Sequence, residues 1–171
     1  MRGLAFALAL AAVLFGCGYK FVRYEGSLGD IQSLAIETLR NESYEAGVEY
    51  IMSDALRREF LRRGAVRLTE DPKVADLVLT GSVLPLESSG SSFSSAVLVI
   101  EYQLTMSLAI QATRSDGTEV PMDPRALRES ERYLVSPDVE ATRKNRDEAL
   151  HRIAAQLAGR VHDALAEVLT P

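Results

Sequence analysis

"LVIEYQLTMSLAI", residues 98–110, alternates without a slip. Leu98, Ile100, Tyr102, Leu104, Met106, Leu108 and Ile110 fall on one side of the pattern. Val99, Glu101, Gln103, Thr105, Ser107 and Ala109 fall on the other. Successive strand side chains point to opposite faces, so a strict period of two predicts one face in a core and one on water or a partner. Strands in globular proteins mostly run ~3–10 residues, so a bend or bulge is expected within this one. Glu101 is expected on the wet side or against a partner's arginine.

The flanking sequence supplies partners for that strand. "IQSLAIE", Ile31 to Glu37, is short, apolar and partly β-branched and reads as a first strand; "LRNESYEAG" after it reads as turn. From Val48 the period changes to that of a helix. Val48, Met52, Ala55, Leu56 and Phe60 form one stripe, with Arg57, Arg58, Arg62 and Arg63 largely outside it as a charged outer face. Gly64 stands where a left-handed cap would end that helix. "ADLVLTGSVLPL", residues 75–86, reads as a second strand, with Pro85 placing its end near an edge. "SSGSSFSS", Ser88 to Ser95, reads as a flexible loop leading to the long strand. "SDGTEV" turns the chain, and "RESERYLVS", Arg128 to Ser136, supplies a fourth strand.

Ser136 and Pro137 have the form of an N-cap and first helical residue, with Asp138 and Glu140 at the positive end of the helix dipole. Leu150, Ile153, Ala154, Leu157, Val161, Ala164, Leu165 and Val168 continue as one apolar stripe. The expected fold class is α+β: a four-stranded mostly antiparallel sheet with two helices on one face, in the order β-α-β-β-β-α.

The front of the chain has another purpose. Arg2, an apolar run from Leu4 to Phe15 and small Gly16 lead to Cys17, the only cysteine. That run is too short for a spanning helix, which needs ~20 residues, and has the layout of a secretory signal. "Leu-Phe-Gly-Cys", Leu14 to Cys17, resembles a bacterial lipobox, in which the thiol receives diacylglycerol and the chain is cut before the cysteine. Phe15 stands where the motif has a smaller residue. Several acyl chains hold a protein stably on a membrane where one does not. By resemblance to Gram-negative lipoproteins, Gly18 favours the outer membrane. Residues 1–16 are thus expected to be a removed signal peptide, and 17–171 a single domain, large enough for a real core.

The net charge of −5 makes the chain a poor nucleic-acid binder, and it becomes more negative once Arg2 is cut away. An enzyme is not expected. The two histidines, His151 and His162, point to nearly the same side of a helix but stand about 16 Å apart along it, too far to share a metal. They read as surface residues flanking the stripe. Cys17 is consumed by lipid, and no histidine, nucleophile and carboxylate fall together. No cofactor is implied beyond the covalent lipid.

Taken in order, several pieces resemble the lipopolysaccharide-assembly lipoproteins, the LptE family. "CGYKF", residues 17–21, resembles the family's lipidated start. "LAIETLRNESYEAGVE" resembles its first strand and the approach to the first helix, "ALRREFLRRG" the end of that helix, "EYQLTMSL" its long strand, and "SPDVEATRKNRDEAL" the start of the last helix. The resemblance implies an outer-membrane lipoprotein, anchored on the periplasmic side. It would plug an LptD-type β-barrel and assist insertion of lipopolysaccharide into the outer leaflet. It also implies basic residues that meet the anionic glycolipid through charge-assisted hydrogen bonds. The matching position in the last helix is Arg143, with Lys144 beside it; the turn before the long strand, basic in the family, carries no basic residue in "SSGSSFSS". The residues alone leave open an adaptor or binding lipoprotein of another envelope complex, and a solvated helix face for Arg143.

Overall fold

The computed structural model describes residues 28–64, 66–93 and 99–170. Cys17, the signal segment, Ser94 and Ser95 lie outside them. The long strand is real and longer than its motif: β6 runs Val99–Arg114. Its alternation holds in space from Leu104 onward, with Leu104, Met106, Leu108, Ile110 and Ala112 buried in the core, whereas Ile100 at its start is exposed and Thr105 of the other face is buried. On each edge β6 is paired by two strands in tandem. Along one edge β4 (Leu77–Val83) meets its second half, Leu77 opposite Arg114 and Val83 opposite Leu108. Leu84-Pro85-Leu86 interrupts the pairing. β5 (Glu87–Phe93) then continues along the first half, Glu87 opposite Thr105. Along the other edge β7 (Glu119–Val120) and β8 (Arg128–Leu134) do the same. The irregularity expected of so long a strand falls on its partner, as register shifts between Gly90 and Phe93.

β1 (Ser33–Ile36) lies parallel to β4 on one side and to β3 (Arg67–Thr69) on the other. β2 (Arg40–Asn41) extends the parallel contact, Arg40 opposite Ser82. The expected four-stranded, mostly antiparallel sheet is therefore corrected to eight strands in a mixed sheet. The α+β class and both helices stand. The four strands read from sequence are β1, β4, β6 and β8; the additions are short or polar segments that pair because a neighbour offers its backbone. The serine tract shows this best. Ser88 to Ser92 carry almost no apolar surface, yet lie on β6 as a strand and not as a loop.

The helices are α1 (Val48–Arg63), closed by Gly64 in a left-handed cap, and α2 (Val139–Leu169). α2 starts later than its sequence suggests. Asp138, not Ser136, is the N-cap, its carboxylate accepting from the Glu140 N–H. Ser136 instead exchanges hydrogen bonds with Thr142, whose hydroxyl accepts from its N–H and donates to its C=O. The two helices pack together over the face of the sheet that carries Leu34, Leu77, Leu79, Leu104 and Met106, and one apolar core runs through all three layers of contact. The expected α1 stripe is wholly buried. In α2 the stripe holds at Leu150, Ile153, Ala154, Leu157, Val161 and Leu165, but ends on Leu169, with Val168 exposed.

Candidate functional site

α2 is fastened to the sheet by a polar ladder as well as by its stripe. Glu129 and Glu131 of β8 share a face with Met106 and Leu104, their register partners, and so point towards the helix. Arg160 reaches Glu129 at 2.5 Å, Arg152 reaches Glu131 at 3.6 Å, and the Gln156 amide donates to Glu131 at 2.7 Å. Spaced four apart, these three helix residues form one row one helical turn apart.

The opposite face of the sheet is covered by neither helix. Along β6 it presents Gln103, Ser107, Ala109, Gln111 and Thr113, all uncharged, with Thr105 buried among its neighbours. Glu101 is on this face, as expected. Its partners are internal: Arg132 at 3.7 Å and the Ser91 hydroxyl, which donates to it. Arg128 and Glu87 pair at 2.8 Å across β6 from opposite neighbouring strands, and the Arg128 guanidinium holds the exposed Glu87 carboxyl below its usual range. Thr105 and Ser130 share a hydrogen bond beneath them.

Arg143 and Lys144 stand on the first turns of α2, both well exposed, beside an open cleft of about 730 Å³. The cleft does not offer an uncompensated positive field. Glu45, Asp138, Glu140 and Asp147 line it together with Arg143, Lys144 and Arg146, so acids outnumber bases. Arg143 is 2.6 Å from Glu140, Lys144 is 3.9 Å from Glu148, and Arg146 is bonded to Glu45 at the approach to α1. The first two pairs are exposed, and pairs of that kind contribute only about 0–1 kcal/mol. Either cation is therefore held only weakly by its partner. Arg146, half-buried, braces the lead-in of α1 against α2.

The arginines of α1 divide in the same way. Arg58 and Arg62 lie outward, on Asp54 and Glu59. Arg57 turns back to donate to the Ile36 carbonyl, and Arg63 bridges Glu59 to Asp163 of α2 at 3.0 Å. Two of the four are braces between elements and not part of a free charged face. His151 is exposed beside Asp147. His162 corrects the expectation of a surface histidine: it is buried, its ring against Phe60. The signal was present, since position 162 follows Ala158 by four and precedes Leu165 by three, which is the stripe itself; its polar residue type concealed it. Among the described residues no three His, Cys, Asp or Glu side chains are grouped to hold a metal, and no helix is long and apolar enough to cross a membrane.

The profile of the family described as LptE, lipopolysaccharide-assembly, matches residues 31–165. The chain belongs to the LptE family. No curated protein sequence matches it. Among solved structures it is similar to rare lipoprotein B from Shewanella oneidensis, at 18% identity and a TM-score of 0.53, covering 77% of this chain and 95% of that one. A minor lipoprotein from Acinetobacter baumannii gives 17% and 0.52, with 80% and 93% covered. Uncharacterized lipoprotein B from Nitrosomonas europaea gives 14% and 0.54, with 89% and 90% covered. At such identities the likeness is one of fold. The LptE match spans β1 to the last turns of α2, so it takes in the sheet, the helix seam and the Arg143 turn together.

Proposed function

We propose that this LptE-family chain is an outer-membrane lipoprotein, anchored by acyl chains at Cys17 on the periplasmic side after removal of residues 1–16. In this reading it assembles with and plugs an LptD-type β-barrel and assists lipopolysaccharide insertion into the outer leaflet. The family match over residues 31–165 carries the reading. The distribution of surface supports it. Barrel lumens are polar, and this molecule closes its apolar core between helices and sheet while turning mostly polar, uncharged side chains such as Gln103, Ser107 and Gln111 outward along β6.

The two ends of α2 lie far apart. Gly29, near the start of the described chain, lies so close to the end of α2 that a Cβ there would stand 2.1 Å from the Leu169 carbonyl oxygen. Arg143 and Lys144 are near the other end of a 31-residue helix, about 38 Å away at 1.5 Å per residue. In this reading glycolipid in transit is met at the end of α2 remote from Gly29. Arg143 and Lys144 are the residues assigned to that contact, through charge-assisted hydrogen bonds to phosphate. No cofactor beyond the covalent lipid is needed.

The test is extraction of tagged protein in mild detergent, followed by mass spectrometry of what accompanies it. A large outer-membrane barrel should co-purify in near-equal amount, and Cys17→Ala should leave an uncut or soluble form. A tagged protein that emerges alone, or with a different envelope complex while surface lipopolysaccharide stays unchanged on depletion, would replace the plug reading with that of an adaptor lipoprotein.

A further inference from the structure

His162 is only 1% exposed, on the side of α2 that meets α1. Its ring lies against Phe60, centroids 5.2 Å apart and planes tilted by 53°. Nδ1 stands 3.3 Å from an Asp163 carboxylate oxygen, while Nε2 is buried without a hydrogen-bond partner among the described residues. The neutral imidazole suits this place, with its proton on Nδ1 directed to Asp163. A protonated ring has donors on both nitrogens. Its second N–H would then enter the apolar seam where nothing accepts it, and the charge would lose its water.

The charged groups facing the ring are few. On its own helix there is Asp163; on α1 there are Glu59 and Arg63. Both acids are already engaged. Asp163 shares its oxygen with Arg63 at 3.0 Å, and Glu59 is held by Arg62 and Arg63. Arg63 thus spends its charge where a histidine cation would otherwise find support. We infer that His162 is an acid-sensitive latch on the seam between α1 and α2: neutral, it lets the helices close on Phe60, and protonated, it loosens them.

The direction of the pH effect follows. Burial, the largest influence, holds the imidazole below its usual range; the Asp163 contact opposes this, Arg63 adds to it, and Glu59 opposes it. The unfolded chain therefore binds the proton more readily than the folded one. Stability is full above the ordinary imidazole range of ~6.5 and falls as pH drops through it towards the folded-state value. A single proton of this kind raises the unfolding constant by at most about tenfold per pH unit within that window. The latch is independent of whether the chain plugs a barrel, since it acts within the fold.

The test uses the full chain in mild detergent. The His162 imidazole Cε1 proton is followed by NMR against pH, in the folded chain and in the urea-unfolded chain. His162 should titrate lower in the folded chain than in the unfolded one. In urea unfolding between pH 7.5 and 5.5 the wild-type unfolding constant should rise as pH falls, and His162→Phe should flatten that rise. Protection factors of seam amides near Phe60, corrected for the intrinsic pH dependence of exchange, should fall in acid in the wild type only. If folded His162 titrates with or above its unfolded-state position, or if His162→Phe keeps the wild-type slope, the latch is overturned. Should His162→Phe fail to fold, the wild-type titration and exchange decide alone.

Discussion

Gly81 is the point at which the centre of the sheet tolerates no side chain. It sits in β4 opposite Ile110 of β6 with φ of 154°. A Cβ there would lie 2.0 Å from the Ala109 carbonyl oxygen and 3.0 Å from both the Ala109 carbonyl carbon and the Ile110 Cα. All three obstacles are backbone, so no rotamer change relieves them; β4 and β6 must separate. Overpacking in a well-packed interior costs about 1–3 kcal/mol, and a non-glycine residue at such a φ costs about 1–3 kcal/mol more. Gly81→Ala should therefore destabilise by about 2–6 kcal/mol, a large part of the ~5–15 kcal/mol available to a domain. For a chain of this size that is a fall in Tm on the order of 10 °C. Gly117→Ala separates the two contributions. Gly117 also has positive φ, 85°, but nothing lies within 4 Å of its Cβ position, so it should bear only the conformational cost of about 1–2 kcal/mol. Urea denaturation followed by circular dichroism measures both. If Gly81→Ala is no less stable than Gly117→Ala, the close approach of β4 to β6 is wrong, and with it the pairing that places β1 and β3.

Two further outcomes test the core and the basic turn. Leu157 is fully buried whereas Val168 is 48% exposed, so Leu157→Ala should cost about 2–5 kcal/mol and Val168→Ala no more than about 0.5 kcal/mol; equal losses in urea melts would contradict the placement of the α2 stripe. Replacing Arg143 and Lys144 together by alanine should leave stability within about 0.5 kcal/mol, because their pairs are exposed. Capture of lipopolysaccharide by the purified complex should weaken at the same time, and unchanged capture would remove these residues from the proposed contact.

What sequence alone determined about this protein is what a local period can carry. Alternation across residues 98–110 identified β6 because a strand's faces differ whatever it pairs with. The stripe from Val48 to Phe60 and that from Leu150 to Leu165 identified both helices for the same reason at the helical period. The α+β class follows from those segments, as do the resemblance to LptE and the exposed place of Arg143. Tertiary structure decided the rest. Ser88 to Ser92 become a strand only because β6 lies alongside with free backbone groups, and Arg40–Asn41 becomes one only through Ser82 and Val83, far along the chain. Pairing of this kind depends on which backbone a segment meets, not on its own side chains. Whether β1 runs parallel to its neighbours is likewise set by the crossover through α1. Burial of His162, and the pairing of Arg63 with Asp163 and of Arg143 with Glu140, are properties of helices already docked. A residue's charge is written in its type, but whether that charge is free is settled by what folding brings within reach.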